Sequence, residues 1–119
     1  MPLRVLIAEA DPTLRSALRL LLSNDDGVDL IGEATCTDEL MELLAHARAD
    51  VVLVDWNLPG WCPGRINGHF TSVRLVGLDG RPERRAQILA EGAHAFFSKL
   101  EPPNGLLRVL RGTPPYDPS

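Results

Sequence analysis

No run of apolar residues in this chain is long enough to span a membrane. No charged segment precedes an apolar one at the start, where Met1-Pro2-Leu3-Arg4 leads straight into a strand pattern, so a signal peptide is not expected. Cysteine is scarce. Cys36 and Cys62 stand far apart without CxxC spacing, which argues against a zinc site and against a disulfide framework. Two free thiols in a reducing compartment are expected, and the protein is expected to be cytoplasmic. A broad basic patch is also missing: the formal charge is −4, and the small clusters Arg81/Arg84/Arg85 and Arg108/Arg111 each fit the solvent face of a helix. Direct nucleic-acid binding is therefore not expected. His46, His69 and His94 are scattered with no partner spacing and read as surface residues, so a His-based catalytic set is lacking.

What is present suffices for one core. The chain has 119 residues, 45% of them hydrophobic, which suits a single globular domain. Short apolar strands alternate with helical stripes. Leu3 to Ala8 reads as a buried strand. Asp11 as N-cap and Pro12 at the first helical position then start a helix with Leu14, Leu18, Leu21 and Leu22 at helical spacing. After the Asn24–Gly27 turn, Val28 to Ala34 is a second strand. Thr37 and Asp38 can cap a second helix with the stripe Leu40, Leu43, Leu44 and Ala47. Val51 to Asp55 is a third strand.

The second half is less regular. Prolines and glycines over 57–68 disfavour a long helix, leaving one or two turns around Gly68 to Val73. Val73 to Leu78 and Ala93 to Ser98 read as strands, Pro82 to Glu91 as a helix stopped by Gly92, and Pro103 to Arg111 as a short last helix ended by Gly112. The pattern is (βα)5, which argues for a parallel sheet covered on both faces. Residues 1–112 form the domain, and the Pro-rich 113–119 is a tail or the start of a linker.

Asp55 is the most informative residue. It ends the run Val51-Val52-Leu53-Val54 and is followed at once by Trp56-Asn57-Leu58-Pro59-Gly60. Ligands of open α/β sheets bind just beyond the carboxyl ends of the strands. Together with Leu6-Ile7-Ala8-Glu9-Ala10-Asp11-Pro12, Ile31-Gly32-Glu33-Ala34 and Glu91-Gly92-Ala93-His94-Ala95-Phe96-Phe97-Ser98-Lys99, this segment resembles the receiver domain of bacterial two-component response regulators over residues 3–111. The flavour is closest to regulators whose receiver precedes a helix-turn-helix output domain.

The resemblance implies a flavodoxin-like doubly wound sheet of strand order 2-1-3-4-5. It implies that Asp55 accepts a phosphoryl group from a sensor histidine kinase, and that Lys99 neutralises it. Glu9, Asp55 and the Asn57 carbonyl would hold Mg²⁺, and Phe96 is the aromatic switch. It further implies self-phosphorylating and self-dephosphorylating activity at most, a helix-turn-helix output domain in a longer parent chain, and a homodimer as an option.

Three departures mark the chain as an atypical receiver. Ala10 replaces the carboxylate expected to touch the metal, so Mg²⁺ binding is expected to be weakened by at least about tenfold, or absent. Asp79 stands nearest the switch position where the family has a hydroxyl. A carboxylate there would repel a phosphoryl group, or would bind a cation differently. The third departure is the poor third helix with the short loop before Pro82. A degenerate receiver, signalling by protein contact without phosphorylation, is the alternative reading.

Overall fold

The computed structural model describes residues 2–64, 72–102 and 104–112. Five parallel strands, β1 (Leu3–Ala8), β2 (Val28–Ala34), β3 (Val51–Asp55), β4 (Arg74–Asp79) and β5 (Ala95–Ser98), form one sheet in the order β2-β1-β3-β4-β5. This is the expected strand order. The helices described from end to end are α1 (Pro12–Ser23), α2 (Thr37–His46), α3 (Arg85–Ala90) and α4 (Asn104–Leu110), with a 3₁₀ turn at Pro82–Arg84 leading into α3; residues 63–64 are helical as well. The turns expected around Gly68, and His69 itself, lie outside the described residues, as does the tail 113–119. Among the described residues no helix is long and apolar enough to cross a membrane.

Period-two alternation assigns each strand residue to one of two layers. On one face Leu6, Ala8, Val52, Val54, Leu75 and Phe96 pack with Leu40 and Leu44 of α2 and Ile88 of α3. On the other, Val5, Ile7, Val51, Leu53, Val76, Leu78 and Phe97 pack with Leu18 and Leu22 of α1 and Leu106 and Leu110 of α4. All five residues of β3 are buried, which is why that segment is a continuous apolar run rather than an alternating one.

The helix starts divide. Asp11 caps α1 as expected, its Oδ1 accepting from the Thr13 N–H at 2.9 Å. The start of α2 differs from expectation: the N-cap is Cys36, with no side-chain cap bond, and Thr37 is the first helical residue. Thr37 donates from both its backbone N–H and its hydroxyl to the Pro59 carbonyl, each at 2.9 Å. Its hydroxyl therefore fastens the turn after β3, where Gly60 takes φ 77°, rather than the helix start.

Strands β4 and β5 each start later than their composition suggests, β4 at Arg74 and β5 at Ala95. The N–H groups of Ala93 and His94 go to the carbonyls of Ile88 and Leu75, and His94 Nδ1 accepts the Leu75 N–H at 2.9 Å. These two residues thus form a turn that closes onto the start of β4. Arg74 donates to the Val109 and Leu110 carbonyls and so caps the last turn of α4. Burial pushes the Arg74 guanidinium below its ordinary pKa.

Candidate functional site

Parallel strands bring all their carboxyl ends to one rim. There β1 runs into Glu9, β3 ends on Asp55, β4 ends on Asp79, and β5 runs into Lys99. The backbone fixes their mutual register: Lys99 N–H donates to the Asp79 carbonyl at 2.9 Å and Trp56 N–H to the Leu78 carbonyl at 3.0 Å. Glu9 is held from the other side, its N–H donating to the Ala34 carbonyl at 3.0 Å.

Lys99 Nζ lies 2.8 Å from Glu9 Oε1 and 3.4 Å from Asp55 Oδ2. One ammonium thus bridges two carboxylates that are themselves almost withdrawn from water. Lys99 is the only lysine in the chain. Burial raises the pKa of Glu9, and the neighbouring Asp55 carboxylate pushes the same way, against the opposing pull of Lys99 and the Asp11 N–H. Burial works against the Lys99 ammonium, but the Glu9 hydrogen bond and the Asp55 and Glu9 charges outweigh it and lift its pKa. Asp55 is oriented by the Asn57 N–H, which donates to its Oδ1 at 3.0 Å.

The loop after β1 offers one carboxylate to this pocket, that of Glu9. Ala10 is exposed and has no donor. Asp11 spends its side chain on capping α1, while its N–H donates to Glu9 Oε2 at 3.2 Å. Arg15 Nη1 pins the same loop through the Glu9 carbonyl at 2.9 Å. Among the described residues no group of three His, Cys, Asp or Glu side chains is arranged to hold a metal. Mg²⁺ commonly binds through one or two carboxylates and keeps several waters, so Glu9 and Asp55 suit it in donor type with less charge than three carboxylates would give.

Asp79 is 1% exposed and does not stand open to a cation. Arg84 Nη1 pairs with its Oδ2 at 2.8 Å, the Arg81 N–H donates to Oδ1 at 2.8 Å, and Asn57 Nδ2 donates to Oδ2 at 3.3 Å. Arg84 is a site residue that sequence reasoning missed. It was expected on a solvent face, yet its side chain is only 18% exposed and turns in beneath the rim. The available signal was Asp79 itself: a carboxylate at the end of a buried strand requires a counter-charge, and Arg84 follows five residues later. Arg111, also expected to be simply solvated, pairs with Asp25 at 2.6 Å.

Phe96 is buried on the α2/α3 face of β5, opposite Gly77 in register. Trp56, directly after Asp55, is buried on the same face. Its Nε1 donates to Glu91 at 2.7 Å and its ring meets Trp61 edge-on, with centroids 5.1 Å apart.

Residues 5–111 match the family described as the response regulator receiver domain. The chain belongs to this family. As a receiver it is 24% identical to the response regulator UvrY of Escherichia coli K12 over 115 residues, covering 92% of this chain and 53% of UvrY. It is 28% identical to the nitrate/nitrite response regulator protein NarL of the same strain over 120 residues, with the same coverage of 92% and 53%. The isolated receiver domain of RcsB from Salmonella enterica serovar Typhimurium superposes with a TM-score of 0.82 at 21% identity, over 96% of this chain and 92% of that one. The receiver spans about half the length of the relatives UvrY and NarL.

Proposed function

We propose that this receiver accepts a phosphoryl group at Asp55 from a sensor histidine kinase, and that the modified domain presents an altered β4/β5–helix face to an output partner. The observation that carries the reading is the Lys99 ammonium seated between Glu9 and Asp55 at the strand ends. In the transfer, an Asp55 carboxylate oxygen forms a bond to phosphorus as the phosphorus–nitrogen bond of a phosphohistidine breaks. The electron pair returns to the imidazole nitrogen, and the product is an aspartyl phosphate. Lys99 neutralises the nucleophile beforehand and a phosphoryl oxygen afterwards. Asn57, through its N–H, keeps the Asp55 carboxylate in one orientation. Glu9, Asp55 and the Asn57 carbonyl would hold Mg²⁺, which supplies charge neutralisation on the transferring group when bound. Its affinity is reduced by Ala10. Phe96 serves as the aromatic that responds to the phosphoryl group.

Receiver-like chains within DNA-binding regulators, such as RcsB in its structures with promoter DNA, support a place in transcription regulation. On this reading residues 1–112 are the receiver, and 113–119 begin a linker to a helix-turn-helix output domain in a longer parent chain.

Trp56 adjoins Asp55 and reports on the site by fluorescence. Titration with Mg²⁺ followed by beryllofluoride, a phosphoryl mimic, is expected to give a saturable change that Asp55→Asn abolishes. Ala10→Asp is expected to tighten Mg²⁺ by at least about tenfold, the equivalent of about 1.4 kcal/mol. A flat response to both reagents at high millimolar Mg²⁺ would sink the phosphoacceptor reading and leave phosphorylation-independent protein contact in its place.

A further inference from the structure

The end of β4 poses a chemical conflict. Asp79 Oδ2 and the Asp55 carboxylate both accept from one residue, Asn57, which donates from its side-chain Nδ2 to Asp79 at 3.3 Å and from its backbone N–H to Asp55 at 3.0 Å. A phosphoryl group on Asp55 would bring further negative charge towards a carboxylate that is 1% exposed. Water cannot screen that repulsion well. The same place holds a remedy. Arg84 Nη1 sits 2.8 Å from Asp79 Oδ2 and 3.4 Å from Asn57 Oδ1, so the guanidinium already touches the residue that separates Asp79 from Asp55. A guanidinium carries five N–H donors in a rigid fork, and both of these contacts use one nitrogen. It can keep Asp79 and still donate to a phosphoryl oxygen.

The charges around the rim support this. Three carboxylates, Glu9, Asp55 and Asp79, meet three cations, Lys99, Arg84 and the more distant Arg81 at 3.5 Å. The protein itself therefore balances the carboxylates it gathers, and incoming phosphoryl charge finds guanidinium close at hand. The turn that delivers Arg84 begins at Pro82, whose fixed φ starts the 3₁₀ turn after only Gly80 and Arg81 beyond β4.

We propose that Arg84, preloaded on Asp79, is the phosphoryl-binding residue at the switch position, doing with a charged donor what a hydroxyl at the end of β4 would do with a neutral one. This rests on the phosphoacceptor reading above. Arrival of the phosphoryl group re-aims Arg84, and with it the 3₁₀ turn and α3.

The test is beryllofluoride binding to the whole chain at saturating Mg²⁺, read by Trp56 fluorescence, with wild type, Asp55→Asn, Arg84→Met and Arg84→Lys side by side. Arg84→Met is expected to weaken beryllofluoride by roughly tenfold or more, the scale of one charge-assisted hydrogen bond, and Arg84→Lys by less. In wild type the guanidinium ¹⁵N resonances of Arg84 should shift on saturation, a response that a purely structural pair with Asp79 would not give. Because Arg84→Met strands a buried carboxylate, the double variant Asp79→Leu/Arg84→Met removes both charges and keeps the measurement available. It should bind more weakly than Asp79→Leu alone. Wild-type affinity in Arg84→Met, or equal affinity in Asp79→Leu and Asp79→Leu/Arg84→Met, with Asp55→Asn inactive, overturns the role of Arg84 alone. A flat wild-type response overturns the phosphoacceptor reading, and this inference with it.

Discussion

Lys99→Met is expected to cost about 2–3 kcal/mol of stability at neutral pH and to slow phosphoryl uptake by at least about a hundredfold. The stability loss follows from what remains. Glu9 and Asp55 would face each other with little water and no cation, and breaking a buried pair from one side is costlier than never having made it. Residual exposure of the Lys99 side chain keeps the figure below the upper end for fully buried pairs. The pH dependence has a definite sign. Glu9 has a raised pKa in the folded protein, so its contribution to stability is full below its ordinary value and is lost as pH rises through the raised one. Without Lys99 that pKa climbs further, and the gap between wild type and variant should open as pH rises through the carboxylate range. Lys99 itself, with a raised pKa, contributes fully below its ordinary value and loses that contribution only as alkaline pH passes the raised one. Urea melts at about pH 4 and about pH 7 check this, since the deficit should be several-fold smaller in acid. An equal deficit at both pH values would mean that Lys99 acts through packing rather than charge.

Gly77→Ala is expected to destabilise the fold by about 1–3 kcal/mol, and Gly77→Val by more. Alanine for glycine in a strand ordinarily helps by about 0.5–1 kcal/mol through the backbone. Here the added Cβ would lie 2.6 Å from Ile88 Cγ2 and 3.0 Å from Trp56 Cε3. The Ile88 methyl is a short branch in a fully buried side chain, not a mobile tip, so steric cost outweighs the backbone gain. The missing side chain at Gly77 is what lets Ile88 and the Trp56 ring approach β4 this closely. Ile88→Ala removes the offending methyl, so Gly77→Ala should cost less in that background than in wild type. A double-mutant cycle by urea denaturation measures the coupling. Strict additivity would refute the steric account.

Most of the fold was legible in the sequence because its central strands are buried on both sides and therefore spell out apolar runs. The start of β5 was not, because Ala93 looks like a strand residue until His94 is seen bonding back to Leu75. The caps of α2 misled for a related reason: Thr37 has the chemistry of an N-cap, but its hydroxyl finds a better acceptor in Pro59, twenty-two residues along the chain. At the site, Glu9 and Lys99 were set beside Asp55 by the family resemblance, and the fold brings the three together because each ends or immediately follows a strand of a parallel sheet. Arg84 was missed because an arginine at a helix start carries no mark of its own; the only signal lay in Asp79, whose buried carboxylate needs a counter-charge. Which residue supplies it becomes visible only when the turn is folded.

Helix α3 spans only Arg85–Ala90, too short to persist by itself, and a single residue of it, Ile88, is fully buried. It is clamped at both ends by polar contacts with the site: Arg84 to Asp79 just before it, and Glu91 to the Trp56 indole just after. Amide hydrogens in α3 are therefore guarded by two side-chain bonds rather than by a deep apolar face. They should exchange with solvent through a small local opening, well before the sheet does. The helix thus works as a latch whose free energy of opening is set by the chemistry at Asp55 and its neighbours, so that protection from exchange along six residues becomes a direct gauge of the state of the site.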